Sequence, residues 1–182
     1  MTNRALFLDR DGVVNVEVGY LHRTEDVRFL DGIFSLCRTA AALDYRIVLV
    51  TNQAGIARGF YTEADFHTLM DFMRARLRAE GVDLDAVYFC PFHPEHGVGA
   101  YKQEHEDRKP GTGMLRRAVR EFGVDLSQSI LVGDRCSDIA AANSAGLREA
   151  FLLAGTEPAP CPGKYHPIQS LAEVERWLTT QG

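Results

Sequence analysis

The chain has 182 residues, 46% of them hydrophobic and 25% charged, with a formal net charge of −5. That is enough apolar material for a sizeable core. The acidic balance, with no basic run, argues against a nucleic-acid partner, whose phosphates demand clustered Lys and Arg, and no stretch approaches the ~20 apolar residues of a membrane span.

The start, Met1-Thr2-Asn3-Arg4, runs into only four apolar residues before Asp9, so no secretory signal is expected. Those residues, 5–8, form the first predicted strand. It ends in Asp9-Arg10-Asp11-Gly12. Two carboxylates two residues apart raise each other's pKa unless a cation holds them. A divalent metal resolves the conflict and leaves one carboxylate free to attack phosphorus. The competing reading is a surface turn that happens to be acidic.

Residues 32–43 carry Ile33, Leu36, Cys37, Ala40 and Leu43 at helical spacing. A second strand, 46–50, leads to Thr51-Asn52-Gln53-Ala54-Gly55. Thr62-Glu63-Ala64-Asp65 is a capping-box variant that opens a helix with Phe66, Leu69, Met70, Met73 and Leu77 on one stripe, ended by Gly81. A third strand, 86–90, enters a long segment, 91–110, rich in His, Gly and charge and closing on Arg108-Lys109-Pro110. The next helix presents Met114, Leu115, Ala118, Val119 and Phe122 on one face before Gly123. The fourth strand, 129–132, ends in Gly133-Asp134-Arg135, and a short helix follows over 137–145, stopped by Gly146. After the fifth strand, 149–153, a segment with Pro158, Pro160, Pro162 and Gly163 precedes a last helix capped by Ser170.

Near-continuous apolar strands alternating with helices predict an α/β fold: a three-layer, doubly wound parallel sheet, here as a single domain over 1–182 with a minimal cap made of loops. Ligands in such sheets bind at the carboxyl ends of the strands. Asp9 and Asp11, Thr51 and Asn52, Lys109, and Asp134 with Asp138 would all gather at that edge. Thr51 and Asn52 can hold phosphate oxygens, Lys109 can neutralise charge in a transition state, and Asp134 can complete a magnesium site with Asp9. The four cysteines, Cys37, Cys90, Cys136 and Cys161, show no C-x-x-C spacing. They read as free thiols of a reducing compartment, so a cytoplasmic location is expected.

With these motifs in order, the chain resembles the haloacid dehalogenase-like phosphatase superfamily. Asp9-Arg10-Asp11-Gly12-Val13 matches its first motif, Thr51-Asn52 the second, Lys109 the third, and Gly133-Asp134-Arg135-Cys136-Ser137-Asp138 the fourth. The resemblance implies that Asp9 is the nucleophile, Asp11 the general acid and base, and that Mg2+ is held by the Asp9 carboxylate, the Asp11 backbone carbonyl and Asp134, with Asp138 behind it. Within the superfamily, Gly19 to Asp26 and Gly55-Ile56-Ala57-Arg58-Gly59 look like the D-glycero-D-manno-heptose 1,7-bisphosphate 7-phosphatases, which supply heptose for surface glycans. Their contacts carry over to Glu17, Val18, Gly19, Tyr20, Thr51, Asn52, Gln53, Ala54, Arg108, Lys109 and Arg135 as the substrate site. The implied substrate is a small sugar phosphate, and a monomer is expected. The alternatives are a histidinol-phosphate or other small-molecule phosphatase, and a catalytically silent binding protein on the same fold. Many relatives hold a structural zinc on a Cys-x-His pair and a later Cys-x-Cys. Here Cys90-Pro91-Phe92 and His105-Glu106-Asp107 stand at those places, so no zinc is expected, although Cys90, His93, His96, His105 and Asp107 are ligand types.

Overall fold

The computed structural model describes residues 3–156 and 160–181; of the loop prolines noted above, Pro158 lies outside them, as do Met1 and Thr2. The chain order is β1 (Arg4–Leu8), α1 (Ile33–Ala42), β2 (Tyr45–Asn52), α2 (Ala54–Ala57), α3 (Glu63–Ala79), β3 (Ala86–Cys90), α4 (Gly113–Phe122), β4 (Ile130–Gly133), α5 (Cys136–Ala145), β5 (Glu149–Leu153), β6 (His166–Ile168) and α6 (Leu171–Gln181). The strands form one parallel sheet in the order β3-β2-β1-β4-β5-β6. The order reverses between β1 and β4, and a crevice opens at their carboxyl ends at such a switch point.

Strand alternation sends successive side chains to opposite faces, and both faces are covered. Leu6 and Leu8 of β1, Ile47 and Leu49 of β2, and Phe151 and Leu153 of β5 pack with Leu36 of α1, Phe66 and Leu69 of α3 and Val174 of α6. Phe7, Val48, Val50 and Leu131 point the other way, onto Met114, Leu115 and Ala118 of α4 and Ile139 and Ala142 of α5. Thr62 caps α3 in a reciprocal box: its hydroxyl accepts from Asp65 N, and the Asp65 carboxylate accepts from Thr62 N. Gly123 and Gly146 end α4 and α5 in left-handed conformations.

Three expectations are corrected. The sheet has a sixth strand; β6 is three residues long, contains Pro167 and sits at the edge, so it carries no readable alternation. Val119 is exposed, because the buried arc of α4 runs through Met114, Leu115 and Ala118 and the next residue turns about 100° out of it. The cysteines are not all free: Cys136, at the start of α5, is disulfide-bonded to Cys161 in the loop after β5, while Cys37 and Cys90 are free and buried, so cysteine usage gives no ground for a reducing compartment. Spacing along the chain carried no sign of that pairing, because the fold folds the loop back over α5, where Asn143 also bonds Lys164 N and O.

Candidate active site

The floor of the site begins where β1 runs out of partners. Asp9 N still donates to Val132 O of β4, and then the chain turns, with Val14 N and Asn15 N both donating to Arg10 O. Gly12 makes this turn at φ +85, and a Cβ there would overlap the Asp134 carboxylate. The bare glycine lets the end of β4 press against the loop after β1.

Motif two is positioned by side-chain clamps. Asn52, the last residue of β2, accepts from Lys109 N and donates to Lys109 O, both at 3.0 Å. This fixes the backbone of Lys109 although 57 residues separate the two. The Lys109 side chain then runs inward, nearly buried. Its Nζ lies 3.0 Å from Asp9 Oδ1 and 2.5 Å from Asp138 Oδ1, and donates to Val50 O at 2.8 Å. Asp138 occupies the first turn of α5, where its other oxygen accepts from Arg135 N at 3.1 Å.

Asp9, Asp134 and Asp138 form the only group of three His, Cys, Asp or Glu side chains with ligand atoms within 4.8 Å of one another among the described residues. All three are buried, and the Lys109 ammonium contacts two of them, Asp9 and Asp138. Burial is the largest influence on Asp9 and raises it to about 8; Lys109 opposes this, while Asp138, Asp134 and Asp11 add to it. Burial likewise raises Asp134 to about 6, with Thr156 pulling the other way. Burial works against the Lys109 ammonium too, yet Asp138 and Asp9 outweigh it and hold Lys109 protonated. Apart from the interaction with Thr156, neither buried oxygen of Asp134 meets a hydrogen-bond donor of good geometry. With all three ionised, the carboxylates against one ammonium leave two negative charges, which a divalent cation would cancel. The Asp134 oxygens face that demand, so this donor set fits Mg2+, a hard cation that takes oxygen ligands.

Asp11 is held differently. The Arg10 guanidinium reaches both of its oxygens, Asn15 Nδ2 donates to Oδ1 at 3.1 Å, and Gln53 Nε2 to Oδ2 at 3.2 Å. Gln53 also donates to Thr51 Oγ1 and accepts from the Tyr61 hydroxyl. Burial pushes Tyr61 up to about 12, so it remains a donor.

Above this floor opens a cleft of about 520 Å³. Of the expected residues, Asp9, Asp11, Glu17, Gly19, Tyr20, Asn52, Gln53, Ala54, Arg108, Lys109 and Arg135 line it. Thr51 lies beneath it, bonded to Gln53, and Asp134 lies behind Gly12. Val18 is not in the cleft; it is half exposed and lines a neighbouring hollow with His22 and Arg28. Gly19 and Tyr20 both adopt positive φ, and the chain turns there, so adjacent residues face different sides. Tyr61, which went unmarked in the sequence, also lines the cleft, as do His93, noted there only as a zinc-ligand type, and Ser137, noted only as part of the fourth motif; Arg58, which had read equally well as a solvated charge, joins them. Arg58 and Arg108 have no ion-pair partner among the described residues, whereas Arg135 faces Glu17 at 3.5 Å. Burial, with Arg135 and Arg58 nearby, lowers the pKa of Arg108. Three guanidinium groups thus gather above the carboxylates.

The long loop 91–110 closes one side. Val98 N donates to Ala57 O, and the Tyr101 hydroxyl donates to Glu63. Phe92 stacks on His105, with ring centroids 4.7 Å apart, and His93 Nδ1 accepts from Glu95 N and His96 N. The ligand types in this loop are engaged in its own packing.

Comparisons with known proteins agree with this geometry. A HAD-hydrolase-like family model matches residues 107–171. The D-glycero-alpha-D-manno-heptose-1,7-bisphosphate 7-phosphatase of Burkholderia mallei is 53% identical over 153 residues, covering 84% of this chain and 81% of the relative. The D-glycero-beta-D-manno-heptose-1,7-bisphosphate 7-phosphatase of Yersinia pestis is 42% identical over 175 residues, covering 94% and 93%. The crystal structure of D,D-heptose 1,7-bisphosphate phosphatase from B. bronchiseptica, complexed with magnesium and phosphate, superposes with a TM-score of 0.85 at 30% identity, covering 98% of this chain and 99% of that one. With the carboxylate trio, Lys109 and Asn52 in place at the switch point, the chain belongs to the heptose bisphosphate phosphatase family of HAD-like hydrolases and is a phosphoric monoester hydrolase.

Proposed function

We propose that the protein removes the 7-phosphate of D-glycero-D-manno-heptose 1,7-bisphosphate through an aspartyl-phosphate, in the cytoplasm, supplying heptose for lipopolysaccharide or another surface glycan. The observation that carries the reading is the polarity of the cleft. A phosphate at the floor meets Asp9 and Lys109, and a second phosphate on the same sugar meets Arg58, Arg108 and Arg135 at the rim. Arginine forks suit phosphate oxygens, and a substrate with two anionic ends needs both poles. The 53% identity to a relative named for the alpha anomer, against 42% to one named for the beta anomer, favours the alpha bisphosphate.

The steps follow from the side chains. The Asp9 and Asp134 carboxylates and the Asp11 carbonyl would hold Mg2+, which would supply neutralising charge. An Asp9 oxygen attacks phosphorus; the O–P bond to the sugar breaks, and the departing oxygen takes a proton from Asp11. Lys109 stabilises the charge that develops on the transferred group. A water then attacks phosphorus, Asp11 accepts its proton, and inorganic phosphate leaves with Asp9 regenerated. Asn52 keeps Lys109 in register throughout, and Asp138 holds its ammonium from the far side.

The test is kcat/KM for the alpha and beta heptose bisphosphates beside histidinol phosphate. Faster hydrolysis of histidinol phosphate refutes the substrate. Phosphate release that survives Asp9→Asn refutes the nucleophile.

A further inference from the structure

We infer that Arg10 is a positioning residue: it aims Asp11 and ties that carboxylate to the loop bordering the substrate. The inference rests on reading Asp11 as the acid and base.

Arg10 lies between two site aspartates in sequence, yet its side chain is wholly buried, at 0% exposure. A guanidinium is costly to bury unless its donors are matched. Here Nε donates to Asp11 Oδ1 at 3.1 Å, and Nη2 lies 2.9 Å from both Asp11 oxygens. Nη2 also donates to Leu21 O at 3.0 Å, while the buried Nη1 has no hydrogen-bond partner. The face of the guanidinium lies 5.6 Å from the centre of the Phe66 ring on α3. One charged group therefore joins three parts of the molecule: the carboxylate, the α3 core and the loop end at Leu21. That loop carries Glu17, Gly19 and Tyr20 into the cleft.

Two features separate Arg10 from the other donors to Asp11. Asn15 and Gln53 each hold one oxygen, whereas Arg10 reaches both and so sets the plane of the carboxylate. Arg10 also bonds the far end of the substrate loop, at Leu21 O, whereas Asn15 bonds only its near end, at Val16 O. A planar fork fixes orientation, while a lysine ammonium at the same place offers a point charge. A proton donor must sit within hydrogen-bond reach of the departing oxygen, and a displacement of about 1 Å costs on the order of 10²-fold. Arg10 holds Asp11 against that displacement, and a shift of the loop at Leu21 is felt at Asp11 through it.

The experiment compares two kinds of ester. A sugar phosphate needs its leaving oxygen protonated; p-nitrophenyl phosphate does not. Arg10→Lys is expected to lower kcat/KM for the heptose bisphosphate by roughly 30-fold or more and for p-nitrophenyl phosphate by less than about threefold. Asp11→Asn gives the reference pattern, and adding Arg10→Lys to it should not widen the ratio further, because groups acting as one unit are not additive. Equal losses on both esters, or none, overturn the role of Arg10. If Asp11→Asn does not separate the esters, the acid assignment fails instead. A second readout leaves Arg10 unchanged: in 15N-arginine-labelled enzyme, one buried guanidinium should show resolved, slowly rotating Nη signals that Asp11→Asn collapses. Signals indifferent to that change overturn the pairing.

Discussion

Replacing Lys109 by Met removes the single cation from a pocket of three buried carboxylates. Its Nζ lies 3.0 Å from Asp9 and 2.5 Å from Asp138. At an effective dielectric of about 20, each contact is worth roughly 5–7 kcal/mol of attraction, which the cost of burying the ammonium largely offsets. Breaking a buried pair from one side costs about 3–5 kcal/mol, out of a typical total of about 5–15. For a domain of this size that is a fall in Tm of about 6–20 °C. The loss should be larger at pH 8 than at pH 5, because protonation of Asp9 relieves the uncompensated charge at the lower pH. Divalent cations should partly restore the variant. With Lys109 gone the trio attracts Mg2+ more strongly, so the metal-induced rise in Tm should exceed that of the wild type. Turnover should nevertheless stay about 10²–10³-fold down, since in the proposed mechanism the donor to the transferred phosphoryl group is missing. The assay is thermal denaturation in EDTA and across a Mg2+ titration, beside phosphate release. An unchanged Tm in EDTA, or equal Mg2+ responses in the two proteins, refutes the shared-charge account.

Metal-free wild type should lose stability as pH rises from about 4 toward 8. Asp9 at about 8 and Asp134 at about 6 sit above their unfolded values, so the folded state binds more protons in that window. Denaturation midpoints in EDTA at several pH values check this, and a flat profile rejects it. Gly12→Ala meets both a left-handed φ of +85 and the Asp134 carboxylate. It should cost about 1–2 kcal/mol in backbone strain and weaken Mg2+ binding measured by calorimetry; wild-type affinity would show that the close approach is dispensable. The Cys136–Cys161 bridge spans a sequence separation of 25 residues, so Cys161→Ser should destabilise the chain by about 3.5 kcal/mol in the chain-entropy account. A thiol titration that finds four free cysteines in unreduced protein would show that the bridge does not form.

Much of this fold was legible because a buried parallel strand must read as a short apolar run. Residues 5–8, 46–50 and 129–132 are such runs, and the structure moves each end by no more than two residues. The capping box at Thr62 and the left-handed glycines after α4 and α5 are local chemistry, so they appear where the sequence places them. β6 was invisible because an edge strand of three residues has too few side chains for a period. Arg58 could be read either way, because a charge beside a glycine turn looks the same in sequence whether it faces solvent or a cleft.

The sequence by itself determined the order of the first five strands and the longer helices, and which residues end the central strands. That brings Asp9, Asp11, Lys109 and Asp134 to one edge, since a parallel sheet points all its carboxyl ends the same way. Only the tertiary structure decided how those residues pair. Asn52 clamps Lys109 across 57 positions, Lys109 bridges Asp9 to Asp138, Arg10 turns inward to grip Asp11, and Cys136 meets Cys161. Such pairings follow from side-chain direction and burial in the closed fold, and linear spacing carries neither.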